Sequence, residues 1–150
     1  MTFNEALQKG AAYCALSEKC EQDVTEKLQH FDMSSLDCKK VIAQLRQDDF
    51  INDERFCNYY VRDKFRFNRW GKIKIAHMLT NKKLPEEIIQ KALNTIDEGE
   101  YEETLYNILE TKLKTLTYKF EYERQGKLFR FAQSRGFEYD ITSRVLKRLS

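Results

Sequence analysis

The sequence predicts an all-α protein made of three tandem three-helix modules, stacked as an elongated or curved helical repeat. Three observations predict it. A single proline, Pro85, and five glycines in 150 residues leave too few chain breakers for the many tight turns of an all-β fold. An apolar stripe at helical spacing recurs three times, starting at Met33, Leu84 and Phe137, which lie 51 and 53 residues apart. Each stripe follows two further helical patterns, so the repeating unit is three helices. Such a unit, some 50 residues long, buries little core alone and must lean on its neighbours. The boundaries fall at 1–50, 51–97 and 98–150.

The first module opens with a helix over Phe3 to Leu16, followed by a short one carrying Val24 and Leu28. Its stripe runs through Met33, Asp37, Val41, Ile42 and Leu45. Asp37 is the one misfit, and Leu36 or Cys38 covers the gap. The second module begins with Asp53 to Phe67, whose Phe56, Tyr60 and Phe67 share a face. Asn52 suits the cap, Asp53 and Glu54 oppose the helix dipole, and Ile51 can pack on Phe56 as a hydrophobic staple. Lys72-Ile73-Lys74-Ile75 alternates like a short strand, but Ile75, Met78 and Leu79 continue at i, i+3, i+4 and favour helix. The stripe Leu84, Ile88, Ala92, Leu93 and Ile96 follows, with Pro85 suited to a first helical turn.

The third module starts with a helix over Tyr101 to Leu116, carrying Leu105, Leu109, Leu113 and Leu116. Asp97, Glu98, Glu100, Glu102 and Glu103 sit near its positive end. A second pattern carries Leu128 and Phe131, and Gly136 suits the position just beyond a helix end. The last stripe is Phe137, Ile141, Val145, Leu146 and Leu149.

A net charge of +2 conceals segregation. Residues 1–54 hold 6 basic and 11 acidic side chains, 55–83 hold 9 basic against Asp63 alone, 84–110 hold 1 and 8, and 111–150 hold 10 and 4. The middle is the electropositive part, and such blocks steer an anionic partner. The third module is basic too, but Lys112, Lys119 and Arg124 are diluted there by Glu121 and Glu123.

Little in the chain suggests catalysis. Gly126-Lys127 lacks the upstream glycine and the Ser or Thr of a phosphate loop, and Gly-x-Ser-x-Gly and His-Glu-x-x-His are absent. His30 and His77 fall in different segments. Carboxylate pairs such as Asp48-Asp49 and Glu102-Glu103 read as solvated faces and caps, and only a pocket where they converge would revive a hydrolase. Cys14, Cys20, Cys38 and Cys57 form no Cys-x-x-Cys pair, so reduced structural thiols, no metal and no cofactor are expected. No apolar run nears the roughly 18 residues of a membrane span. Met1 to Gly10 carries Asn4, Glu5 and Lys9 in place of a signal core. A cytoplasmic location, with no membrane or small-molecule partner, is the expectation.

The chemically informative stretch runs from Arg62 to Lys74, where Arg62, Lys64, Arg66, Arg69, Lys72 and Lys74 interleave with Phe65, Phe67 and Trp70. With Trp70, Lys82 and Lys83 these cations form the candidate partner-binding set. Cations neutralise phosphates, and an exposed Phe65 or Trp70 would stack on a base or fill a partner's pocket. The competing reading makes Phe67 and Trp70 core and the cations a solvated face. Phe67 is assigned to the core, the excess charge to function, and Trp70 fits either.

The segment Phe50-Ile51-Asn52-Asp53-Glu54-Arg55-Phe56-Cys57-Asn58-Tyr59-Tyr60-Val61 resembles the signature of the RecX family. So do Arg69-Trp70-Gly71-Lys72-Ile73-Lys74-Ile75, Gly136-Phe137 with Ile141 and Val145-Leu146, and Glu26-Lys27-Leu28. The resemblance spans nearly the whole chain and implies three tandem three-helix modules. It also implies a non-enzymatic protein that lodges in the groove of the RecA filament and restrains its ATP hydrolysis, strand exchange and coprotease action, in recombination, repair and the SOS response. Two departures are visible: Cys57 stands where the family commonly has a small residue, and Phe31-Asp32 replaces the glycine usual after the first module's second helix. The acidic first module shifts weight from DNA towards RecA protein as the contact. The rivals are a helical-repeat protein binding single- or double-stranded DNA directly, which would lose affinity steeply with salt, and an adaptor using apolar faces.

Overall fold

A computed structural model describes residues 1–150 and contains nine α-helices and no strand. They are α1 (Phe3–Leu16), α2 (Glu21–Gln29), α3 (Ser35–Gln47), α4 (Asp53–Arg66), α5 (Lys72–Asn81), α6 (Glu86–Leu93), α7 (Glu98–Thr115), α8 (Glu121–Ser134) and α9 (Tyr139–Leu149). The all-helical class and the grouping in threes hold. The chain packs as two compact units, one of Met1–Tyr60 with Leu79–Ile89, the other of Val61–Met78 with Gln90–Ser150.

In the first unit Ala6, Val24, Leu28, Cys38, Val41, Ile42, Leu45 and Ile51 form a buried cluster between α1, α2 and α3. Asp37 is indeed off the core, and Cys38 fills its place while Leu36 stays 63% exposed. The segment after α3 is held by charge. Arg55 donates to the carboxylates of Glu18 and Asp49 and to the carbonyl of Asp49 at 2.9 Å. Asn52 Oδ1 caps α4 by accepting from Arg55 N–H at 2.9 Å. The residues that carry the family signature therefore fix the entry to α4. Cys57, in the small-residue position, is fully buried.

In the second unit α7 packs on α8 and α9 around Leu105, Leu109, Leu128, Ala132, Val145 and Leu146. Arg148 bonds Glu102 at 2.8 Å and Glu103 at 2.6 Å, fastening α9 to α7. Arg124 is no surface cation: it is buried, and its guanidinium donates to the Leu149 carbonyl at 3.1 Å and to Glu121. A cation at the C-terminal end of α9 suits the helix dipole.

Two stripe assignments need correction. Phe67 is 81% exposed, because α4 stops at Arg66 and its buried residues near that end are Val61 and Phe65. Ile89, fully buried, is the core residue of α6 in place of Ile88, which is only half-buried. The same register holds in the other modules, where Cys38 and Thr142, 51 residues before Ile89 and 53 after it, are buried at the matching position. Thr142 tolerates burial by donating its hydroxyl to the Glu138 carbonyl at 2.7 Å.

The repeat also fixes the backbone. Asp32, Lys83 and Gly136, again 51 and 53 residues apart, all adopt the left-handed conformation, with φ of 57°, 66° and 92°. Each ends the second helix of its set. After Lys83 and Gly136 the next N–H reaches back to close the helix, Leu84 to Leu79 O at 3.2 Å and Phe137 to Ala132 O at 3.1 Å. Asp32 thus performs the role of the missing glycine, as an aspartate can.

Candidate functional site

The basic surface is built by the last turn of α4, the connector 67–71 and the first turn of α5. Arg62 and Arg66, four residues apart in α4, share a face of that helix, and Arg69 follows in the connector beyond its end; all three are exposed. Arg69 takes the left-handed conformation, φ 56°, and turns the chain out of α4; Trp70 N–H then bonds the Lys64 carbonyl at 3.1 Å.

Trp70 is half-buried, and two ammonium groups stand over its ring, Lys74 Nζ at 4.6 Å and Lys64 Nζ at 5.3 Å from the centroid. The indole thus gathers cations by its electron-rich face. Phe65, by contrast, belongs to the core and packs towards Tyr101, which in turn meets Phe137. It does not stack on a partner.

The start of α5 looks like an anion site, with cations and N–H groups at a helix N-terminus. Three of its donors are already taken. Gly71 N–H bonds the Arg135 carbonyl at 2.7 Å, Lys72 N–H the Tyr101 hydroxyl at 2.9 Å, and Ile73 N–H the Gly136 carbonyl at 3.0 Å. Tyr101 donates its own hydroxyl hydrogen to the Glu138 carboxylate. Burial and this carboxylate push the Tyr101 phenol far above its usual range. A phosphate or carboxylate arriving here is left mainly to the side chains. Nothing in the sequence announces this relay, since Tyr101 and Glu138 show only as an aromatic and an acid 37 residues apart.

The cations differ in how far they are engaged. Arg66 lies 3.9 Å from Glu100 and Lys64 3.8 Å from Asp63, long contacts between groups that water reaches. Lys72 Nζ stands 4.9 Å over the Tyr101 ring. Lys82 and Lys83 belong to the other unit. Lys82 bonds Asp23 at 2.9 Å; burial works against its charge, but Asp23 outweighs burial and raises its pKa. For Asp23 burial likewise opposes ionisation, and Lys82 with the Cys20 hydrogen bonds holds the carboxyl below its usual range. Lys82 is thereby a structural ion-pair partner. Lys83 is exposed at its left-handed turn.

The first unit also carries a cavity of about 480 Å³ between α2, α3 and residues 82–84. Its Glu21 and Asp53 both bond Arg46, at 2.7 and 3.2 Å. These carboxylates are paired with a guanidinium and do not converge on one another as an acid and base would. Cys20 and Cys57 are buried in this unit, and burial pushes their thiols up to about 11 and about 12. No helix is long and apolar enough to cross a membrane.

Nine helices in threes, with left-handed turns recurring at the module period and a cation-rich second set, define a tandem three-helix-domain protein. Its sequence matches the family models for the second three-helix domain of RecX over residues 52–93 and the third over residues 100–146. It is 30% identical over 134 residues to the regulatory protein RecX of Clostridium perfringens (strain 13 / Type A), aligning 88% of this chain with 62% of that protein. Against the RecX of Clostridium beijerinckii identity is 32% over 135 residues, or 87% and 62% of the two chains. The chain thus spans about three fifths of the length of these curated relatives. The crystal structure of RecX from Lactobacillus salivarius superposes with a TM-score of 0.86 at 21% identity, covering 98% of this chain and 96% of that one. A second structure, of a regulatory protein RecX, gives 0.88 at 19% identity, covering 97% and 71%. The chain belongs to the RecX family.

Proposed function

We propose that this protein is a non-enzymatic cytoplasmic regulator that binds the RecA filament on DNA. It would contact the filament through the surface of Arg62, Arg66, Arg69, Trp70, Lys72 and Lys74, and mostly inhibit ATP hydrolysis, strand exchange and coprotease action. The three modules, 1–50, 51–97 and 98–150, are the units that would track the groove. One observation carries the reading: the exposed guanidiniums of α4 and of the turn that follows it share a segment with a ring that collects two lysines, while three N–H groups at the adjacent helix end are already bonded. Side chains on a rigid frame suit a partner with its own array of carboxylates or phosphates. Titrating the protein into cognate RecA, single-stranded DNA and ATP tests this. Hydrolysis should fall as the protein approaches stoichiometry with RecA, and unchanged hydrolysis at excess would refute the reading. Direct DNA binding is the second reading, and the same cations favour it; it requires affinity for DNA without RecA that falls steeply with salt.

A further inference from the structure

The connector from α7 to α8 and the first turn of α8 expose three aromatic rings, Tyr118, Phe120 and Tyr122. Phe120 and Tyr122 stack with nearly parallel planes, their centroids 5.7 Å apart and the angle between them 7°. Tyr122 is 73% exposed, so a flat ring face is open to solvent on a pair that is already ordered.

One cation stands over the pair and others share its segment. Lys119 Nζ stands 5.6 Å over the Phe120 ring, and Lys114 is exposed in the last turn of α7. Residues 111–130 contain six cations, of which only Arg124 is buried, against Glu121 and Glu123. Both carboxylates are engaged, Glu121 by Arg124 and Gln125, and Glu123 by Lys119 N–H. Lys127 donates to the Thr117 carbonyl at 2.6 Å and pins the connector against α8. The rings are thus held in place by groups other than a core.

We infer that this connector is a stacking platform for single-stranded nucleic acid, taking a base on the open Tyr122 face, which Phe120 backs, and the adjoining phosphates on Lys119 and Lys114. An unpaired strand is the occupant that fits both features, because its bases offer free faces while a duplex hides them in its own stack. These residues are distinct from the α4 and α5 cations, and their action requires no recombinase.

The test measures fluorescence anisotropy of a labelled oligothymidylate, an abasic strand of equal length and a matched duplex, without RecA. Wild-type protein should bind oligothymidylate about tenfold more tightly than the abasic strand, the scale of one stacked base. The Phe120→Ser, Tyr122→Ser double variant should lose that difference while melting at the wild-type temperature. The Arg62→Glu, Arg66→Glu, Arg69→Glu variant should keep it. Equal affinity for the abasic strand, or a double variant that retains the preference, overturns the inference, as does absence of strand binding even if RecA regulation is intact. A double variant that binds strands normally but loses filament binding would make the rings a protein-docking surface and equally overturn it.

Discussion

Gly71 and Gly136 lie backbone against backbone: a Cβ on Gly71 would stand 2.3 Å from the Gly136 carbonyl carbon and oxygen. A Cβ on Gly136 would in turn stand 2.4 Å from Lys74 Cβ, at a residue whose φ is already 92°. The two glycines are 65 residues apart in sequence and join the start of α5 to the end of α8.

Gly71→Ala should therefore destabilise the protein by about 2 kcal/mol or more, because the colliding atoms are backbone and cannot rotate away. Gly136→Ala adds the left-handed penalty of roughly 1 kcal/mol. Thermal melts followed by circular dichroism check this, and a control Gly126→Ala, which meets only the far end of Arg130, should melt at or slightly above the wild-type temperature.

Tyr101→Phe keeps the ring between Phe65 and Phe137 but removes the hydroxyl that accepts from Lys72 N–H and donates to Glu138. Leaving that N–H and carboxylate without their partner should cost about 1–3 kcal/mol in denaturant unfolding. A loss below a few tenths would show that water replaces the hydroxyl freely.

The Asp23–Lys82 pair predicts an acid dependence. Since the Asp23 carboxyl is held below its ordinary value of 3.8, the folded state binds its proton less readily than the unfolded chain. Its stabilisation is present above about pH 4 and is lost as pH falls through the lower folded value. Lys82→Met should flatten the stability profile of the chain below about pH 4, measured by urea unfolding across roughly pH 2–6. An unchanged profile would mean that Lys82 does not hold the carboxylate.

Phe65→Ala should destabilise by about 3–5 kcal/mol as a core truncation, whereas Phe67→Ala should stay within about 0.5 kcal/mol. Equilibrium unfolding of the two variants separates them, and the reverse order would restore the sequence-based placement of Phe67 in the core.

Much of this architecture is legible in the sequence because it is local. The α1 boundaries, the cap at Asn52, and the stripes from Met33, Leu84 and Phe137 follow from periodicity and side-chain chemistry. Errors arise where rotation within a stripe is decided by a neighbour, as with Ile88 and Ile89, or where a helix ends, as with Phe67 just past Arg66. Long-range pairings are invisible to periodicity: the sequence marks Gly136 as a helix-end glycine and Gly71 only as part of a family-like motif, with nothing to show that they touch; it counts Arg124 as a surface charge though α9 draws it inward, and groups Lys82 with cations that lie in the other unit. The cation surface from Arg62 to Lys74 is legible as charge. The prior engagement of three N–H groups at the start of α5 is not, because Arg135, Tyr101 and Gly136 supply their partners from another module.

Contact between the RecA filament and Arg62 and Arg66 of α4 with Arg69 of the connector is measured most directly by co-sedimentation. The protein is spun with cognate RecA filaments on single-stranded DNA across a salt series, comparing wild type with the Arg62→Glu, Arg66→Glu, Arg69→Glu variant. The variant should be captured more weakly at every salt concentration, with an unchanged melting temperature. Where the arginines meet phosphates, its salt dependence should also be shallower by about one unit of slope for each phosphate no longer neutralised. Capture and salt dependence equal to wild type, in a folded variant, would contradict a role for these arginines in binding the filament.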